Sequence, residues 1–365
     1  MKIPRIKINP NFDWALIIIP VILTVCSLAT LYSISSFAGN LSLVWDQAVY
    51  FGIGIVAYIV FTMLDYRETK NYVWYLYVIG LVFLILVDLL GMQIFGSRRW
   101  ISLGFFQFQP SELMKVFLLI FAASYFSAKE NLRPLRIVFF LIAALVPVYL
   151  VFKEPDLGTA LTIIVMLVVA LVQAGTPKKY LIYGFLVLLV ASPFVWLKLQ
   201  PYQKTRVISF MEPSSDPLGS GYNVSQSKIA VGSGGLYGKG FGNATQSQLR
   251  FLPIAQIDFI FSGWAEATGF IGSLVMVAAF GILIVRIFIV SSVSRDRFGM
   301  IFAAGVGAVI LFQSFVNIGM NIGIMPVTGI PLPFVSAGGT SYIVNAIFLG
   351  MTQSIYIRRK GLRFE

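Results

Sequence analysis

Apolar runs dominate this chain, and its polar residues gather in a few short breaks and one long one. Stretches long enough to cross a bilayer need about 20 residues. They fall at about 14–36, 46–64, 73–93, 111–128, 135–152, 157–175, 180–198, 257–290, 299–323 and 337–357. The pattern predicts an all-α, polytopic membrane protein with about ten transmembrane helices, the sixth joined to the fifth by a short polar hairpin. The long polar stretch, about 198–256, reads as one large extracytoplasmic loop. The whole of 1–365 reads as a single transmembrane domain.

Composition supports that class and narrows the chemistry. Hydrophobic residues make up 58% of the chain and charged residues 12%, with a mean hydropathy of +0.86. A soluble domain carries about 25% charged residues. There is no histidine, so Ser-His-Asp, Cys-His and histidine-based metal chemistry are excluded. The lone cysteine, Cys26, excludes an intrachain disulfide. Carboxylates, lysines and hydroxyls remain as candidate catalysts.

Orientation follows from the basic residues. Of the 27 Lys and Arg, 17 fall on the side of the two termini and ten on the other, most of those ten in the long loop. Short loops carry the topological signal, and long loops translocate largely regardless of charge. Both termini are therefore expected in the cytoplasm, and the first apolar run, too long for a signal-peptide core, as a retained anchor. The net charge of +12 is assigned mainly to topology and anionic lipid headgroups rather than to nucleic acid. The basic residues on the outer side run against the positive-inside rule, and an anionic lipid-linked ligand would account for them.

Four polar segments lie on that outer side. In GSRRWISLGFFQFQPSELMK, Arg98, Arg99 and Trp100 suit a phosphate or an interfacial belt, and Glu112 and Lys115, spaced i, i+3, can pair on one helix face. Lys153-Glu154-Pro155-Asp156 forms the hairpin, with Asp156 either a helix cap or a functional acid. The long loop carries Arg206, Lys228, Lys239 and six glycines between Gly232 and Gly242, which fit a phosphate cradle or a flexible lid but not a Walker A loop. Around Pro326, Pro331 and Pro333 the chain cannot be regularly helical. Ser336, Gly338 and Gly339 then open the last helix with small groups.

The residue that concentrates the chemistry is Asp258 in QIDFIFSGWAE, where the polar loop re-enters an apolar helix. A carboxylate at such a boundary is costly to hold without a function. The helix dipole is expected to lower its pKa and keep it ionised. It could then take a proton from a sugar hydroxyl attacking an anomeric carbon, with inversion, while nearby Arg and Lys stabilise a departing pyrophosphate. Glu266, about 12 Å deeper by helix rise, is expected to pair with a buried donor that the local sequence does not name.

These residues also resemble a family. GSRRWISLGFFQFQPSELMK, KEPDLGTA, DPLGSGYNVSQSKIAVGSGGLYGKGFG, DFIFSGWAE and NIGIMPVTGIPLPFVSAGGTS are similar to the SEDS proteins, the RodA/FtsW/SpoVE polymerases of bacterial peptidoglycan. QSKIAVGSGGLYGKG, TQSQLRFLP and the short tails place the likeness nearer the RodA branch. The resemblance implies a ten-helix glycosyltransferase that polymerises lipid II at the outer leaflet during elongation. Asp258 would be its catalytic acid residue, with Glu112, Lys115 and Asp156 functionally sensitive and Arg206 helping to hold the substrate. It implies a class B penicillin-binding protein as partner. No cofactor is required by it, and a divalent cation is left open. One departure is Pro253-Ile254-Ala255-Gln256-Ile257, where the family usually has Pro-Glu-x-His-Thr. Competing readings are a flippase for a lipid-linked precursor and a scaffold for a transpeptidase. Acids and irregular segments gathered at one face favour the enzyme over the transporter.

Overall fold

The computed structural model describes residues 12–37, 39–94, 97–102, 104, 107–127, 134–212, 219–248 and 255–359. Pro253, Ile254 and Arg250 lie outside the described residues, as do Lys2, Arg5, Lys7, Lys129, Arg133, Lys360 and Arg363.

Ten long helices form where the apolar runs predict them: α1 Ala15–Phe37, α2 Ser42–Met63, α3 Val73–Leu90, α4 Pro110–Ser127, α5 Pro134–Lys153, α6 Leu157–Gln173, α7 Lys178–Lys198, α11 Ile260–Ser292, α12 Arg297–Ile322 and α13 Gly339–Ile357. Seven of the helices are long and apolar enough to cross a bilayer on length and hydropathy. Of the other three, α6 is shorter, and α4 and α13 carry more polar side chains in their interior positions. They do so because they are buried by protein: Leu118, Leu119 and Ala122 of α4 and Phe348, Leu349 and Met351 of α13 are almost fully enclosed. Helix α12 is the axis of the bundle, packing on α11, α6, α4 and α13. Helices α2 and α13 pack closely, since a Cβ on Gly350 would stand 2.7 Å from the Tyr58 carbonyl oxygen, a small-residue contact typical of membrane helix pairs. Trp14, Trp45, Trp74 and Phe139 are exposed on the outside of the bundle, facing where lipid would lie.

At the opposite pole is α7. None of its described side chains is buried, and it has no extended packing against any other element among the described residues.

The 198–256 segment is not one loop. It holds three further helices, α8 Pro201–Met211, α9 Ser220–Ser233 and α10 Thr245–Gln248. Their short lengths and polar faces give no bilayer-scale apolar run, which is why the hydrophobic pattern passes over them. The same end of the bundle, called the loop end below, carries a three-stranded antiparallel sheet, β1 Met92–Ile94, β2 Ser97–Ser102 and β3 Gln107–Phe108. This is the one departure from an all-α fold among the described residues.

The eighth apolar run is not a continuous helix either. Gly269 adopts φ +70°, a left-handed conformation that glycine tolerates, and divides α11 into Ile260–Thr268 and Phe270–Ser292. The glycine-rich segment lies against that break. Phe270 N–H donates to Gly235 O (2.8 Å), Lys239 N–H to Glu266 O (3.0 Å) and Gly240 N–H to Ala267 O (2.9 Å). A Cβ on Gly238 would stand 2.2 Å from the Ala267 carbonyl oxygen. Gly235, Gly238 and Gly240 thus serve backbone-to-backbone packing on the broken helix.

Candidate active site at the loop end

Asp258 ends a turn over residues 255–258, just before α11 begins. The segment joining α12 to α13 grips this turn. Ser336 Oγ donates to Ile257 O (2.6 Å) and accepts from Leu332 N–H (2.8 Å), while Ala337 N–H donates to Gln256 O (3.0 Å). From α12, Asn317 and Asn321 both donate through Nδ2 to the Asp258 carbonyl oxygen, at 3.2 and 3.0 Å. The backbone of the acid is pinned from two sides. Its half-buried carboxylate, by contrast, makes no hydrogen bond or ion pair among the described residues.

The turn faces the α5–α6 hairpin and α8. Arg99 projects from β2 into this region. Its Nε donates to Glu154 O (3.1 Å), one terminal nitrogen to Tyr202 OH (3.0 Å) and to Pro155 O, and the other lies 3.8 Å from Asp156. Tyr202 and Gln203 of α8 also donate to Pro155 O, at 2.8 and 3.1 Å. One turn further along α8, the Arg206 guanidinium lies over the Tyr202 ring and beside Gly329, and makes no ion pair among the described residues. Both arginines act on Asp258 electrostatically. The result is an acid with an anchored backbone and an unbonded carboxylate, within electrostatic reach of one guanidinium that makes no ion pair among the described residues and of a second tied to the hairpin.

Burial pushes the Asp258 carboxyl above the usual carboxylate range, opposed by Arg206 and then Arg99. This overturns the expectation that the helix dipole lowers it. Asp258 stands two residues outside the helix, and desolvation outweighs the dipole there.

Sequence-predicted residues divide clearly. Asp156 is the N-cap of α6, accepting from Thr159 N–H (3.1 Å) and Thr159 Oγ1 (3.0 Å), and it also accepts from Gln109 Nε2 (3.0 Å), so cap and site coincide. Glu112 and Lys115 pair at 2.8 Å, both buried inside α4 just below Gln109. Arg98 and Arg99 do not act together. Neighbours on a strand point to opposite faces, and Arg98 is exposed, 3.5 Å from the Asp88 carbonyl oxygen. Trp100 is half-buried in β2 opposite Met92. Lys228 is exposed on α9 and lays its stem over Gly323 at the end of α12. Gly338 precedes α13 and Gly339 packs against the Tyr50 ring.

Lys239, which the sequence places among the candidate phosphate-binding residues of the long loop, pairs through its Nζ with Glu266 at 3.0 Å. Glu266 is fully buried and also accepts from Gln246 N–H (2.9 Å), Ser247 N–H (3.1 Å) and Ser247 Oγ (2.5 Å). This is the buried donor set that sequence alone could not name. Asn317 and Asn321, four apart in an apolar helix, form a polar stripe facing the interior, and that spacing is the signal in the sequence that marks them as a pair.

Glu154 is a separate case. It is 4% exposed, and neither carboxylate oxygen has a hydrogen-bond partner. Burial first, then Asp156, pushes its carboxyl up to about 9, against the pull of Arg99. The hairpin therefore holds a neutral acid at neutral pH. In the unfolded chain the group ionises near 4.5. Its stabilising contribution is full below that pH and is lost as pH rises towards about 9. Glu154→Gln is expected to flatten the decline of Tm between about pH 5 and about pH 9, measured in detergent. An unchanged slope would show that Glu154 is ionised in the folded protein.

Away from this cleft, an apolar cavity of about 540 Å³ runs between α1, α2 and α13, lined by Leu16, Phe51, Tyr58, Phe334 and Tyr342 among others. Its walls offer no acid–base pair. No three Asp, Glu, Cys or His side chains converge as a cation site among the described residues.

With this geometry in view, the chain can be set beside known proteins. It is 39% identical over 316 residues to the peptidoglycan glycosyltransferase MrdB of Escherichia coli (strain K12), covering 85% of this chain and 84% of that protein. It is 35% identical over 357 residues to stage V sporulation protein E of Bacillus subtilis (strain 168), covering 94% and 96%. Among solved structures, a chain reported under the structural coordination of polymerization and crosslinking by a peptidoglycan synthase complex superposes with a TM-score of 0.81 at 30% identity, covering 95% of this chain and 98% of that one. The rod shape determining protein RodA of Thermus thermophilus superposes with a TM-score of 0.73 at 27% identity, covering 96% and 98%. A family model described as cell cycle protein, spanning FtsW, RodA and SpoVE, matches residues 10–361, and the chain belongs to that family of multi-pass membrane proteins.

Proposed function

We propose that the chain is a peptidoglycan glycosyltransferase that polymerises lipid II at the outer face of the bacterial cytoplasmic membrane. The carrying observation is Asp258, whose backbone is held by two asparagines while its carboxylate is left unbonded opposite Arg206. In this reading the carboxylate takes the proton from an acceptor sugar hydroxyl. That oxygen attacks the anomeric carbon of the lipid-linked donor, the bond from that carbon to the diphosphate breaks, and the polyprenyl diphosphate leaves with the electron pair. Arg206, with Arg99 behind it, stabilises the charge on the leaving group. A single base and a good leaving group give inversion. A divalent cation, where one takes part, would enter as counter-ion of the diphosphate.

Two further expectations belong to this reading. The termini lie in the cytoplasm, which puts the loop end outside. A class B penicillin-binding protein is the partner, in keeping with the peptidoglycan synthase complex that holds the structural relative. The direct test incubates the purified chain, with such a partner, with lipid II. Glycan polymer and released undecaprenyl diphosphate are the expected products. Translocation of labelled lipid II across vesicles without polymer would replace the enzyme by a flippase.

A further inference from the structure

In a regular helix the Ser262 N–H would donate to the Asp258 carbonyl oxygen four residues back. Here it does not. Ser262 N–H is shared between Phe259 O (3.1 Å), one residue short of the regular acceptor, and Asn321 Oδ1 (3.0 Å), and Asn321 Nδ2 donates to Asp258 O (3.0 Å). A side-chain amide thus bridges the two groups of the missing peptide hydrogen bond, sharing its donor with Phe259 O and satisfying its acceptor. Ser262 Oγ lies 2.6 Å from the same Oδ1 and 2.5 Å from Ser227 Oγ, which lies 2.7 Å from the Asn321 carbonyl oxygen, the two hydroxyl protons serving two of these contacts at a time. Asn317 backs the arrangement, donating to Asp258 O (3.2 Å) and Ile330 O (2.8 Å). All four side chains are buried.

We propose that Asn321, supported by Asn317, is a positioning residue: its carboxamide is a wedge that stops α11 from winding back through Asp258 and so keeps the carboxylate turned into the cleft. Without the wedge, the direct Ser262-to-Asp258 bond can form. Each residue added to a helix turns its side chain by about 100° from the next, so the acid would swing away from Arg206. The consequence for catalysis rests on Asp258 being the base. The geometric claim does not.

Two measurements test it. In a chain with Cys26→Ala and Asp258→Cys, labelling of the new thiol by a membrane-impermeant maleimide is expected to slow about tenfold or more when Asn321→Ala is added. Asn321→Asp should also slow it, because it keeps an acceptor for Ser262 N–H but loses the donor to Asp258 O. Equal labelling in all three overturns the proposal. In the otherwise native chain, Asn321→Ala is expected to lower kcat for polymerisation about 100-fold and leave KM within about threefold, in a protein that still melts cooperatively at a lowered Tm. A kcat at the wild-type value would also overturn it. Slowed labelling in a chain that polymerises nothing, with or without Asn321, would uphold the wedge and sink the glycosyltransferase reading.

Discussion

Asp258→Asn is expected to remove about 10²- to 10⁴-fold of the polymerisation rate while leaving the protein as stable as before, or more so. The two halves have one cause. The fold raises the pKa of this carboxyl, so near neutral pH it holds the ionised form at a cost. A neutral amide of the same size relieves that cost, fills the same space and cannot accept a proton from a hydroxyl. Active sites commonly trade stability for function in this way. The raised pKa also fixes the sign of the pH dependence. A base must be ionised to work, so the acid limb of kcat/KM should lie above the ordinary carboxylate range. Rates on lipid II and thermal melts of both proteins decide the matter. Full activity in the Asn variant would move the base elsewhere, and a collapsed melt would make Asp258 a structural residue.

The largest stability effect is expected inside α4. Lys115 and Glu112 form a 2.8 Å ion pair with both side chains almost wholly buried. Removing one partner strands the other as an uncompensated charge, which costs about 3–5 kcal/mol. Lys115→Met and Glu112→Leu should each lower stability by that order. The double variant should recover much of it, since an apolar pair of similar volume is often neutral or better. Such recovery is a large coupling energy in a double-mutant cycle. Additive losses, or single losses under about 1 kcal/mol, would show the pair to be hydrated and weakly coupled.

The apolar pattern made the ten long helices legible because bilayer length imposes a strong, one-dimensional signal. The candidate site was legible where a charge interrupted that signal: Asp258, Asp156 and the Glu112–Lys115 pair are all at least partly buried at the loop end. What escaped was set by contacts distant in sequence or by local geometry. Glu266 and Lys239 are 27 residues apart, and nothing along the chain joins them. Gly269 is one glycine in an apolar run, yet it ends one helix and starts another. Arg98 and Arg99 read as a pair until a strand turned them to opposite faces. The short helices α8 to α10 carry no bilayer-scale signal, so their segment reads as loop.

Helix α7 stands apart from all this. With no buried side chain among those described, and Leu181 alone packed against the core, little among the described residues reads the shapes of its other side chains. What the bundle leaves to constrain them is length and solubility in hydrocarbon. Leucine, isoleucine, valine and phenylalanine should exchange there almost freely, and across relatives this stretch should lose sequence identity fastest while keeping its hydropathy. The asparagines of α12 are the opposite extreme, because each of their amide atoms has a fixed partner and even an isosteric change breaks a bond.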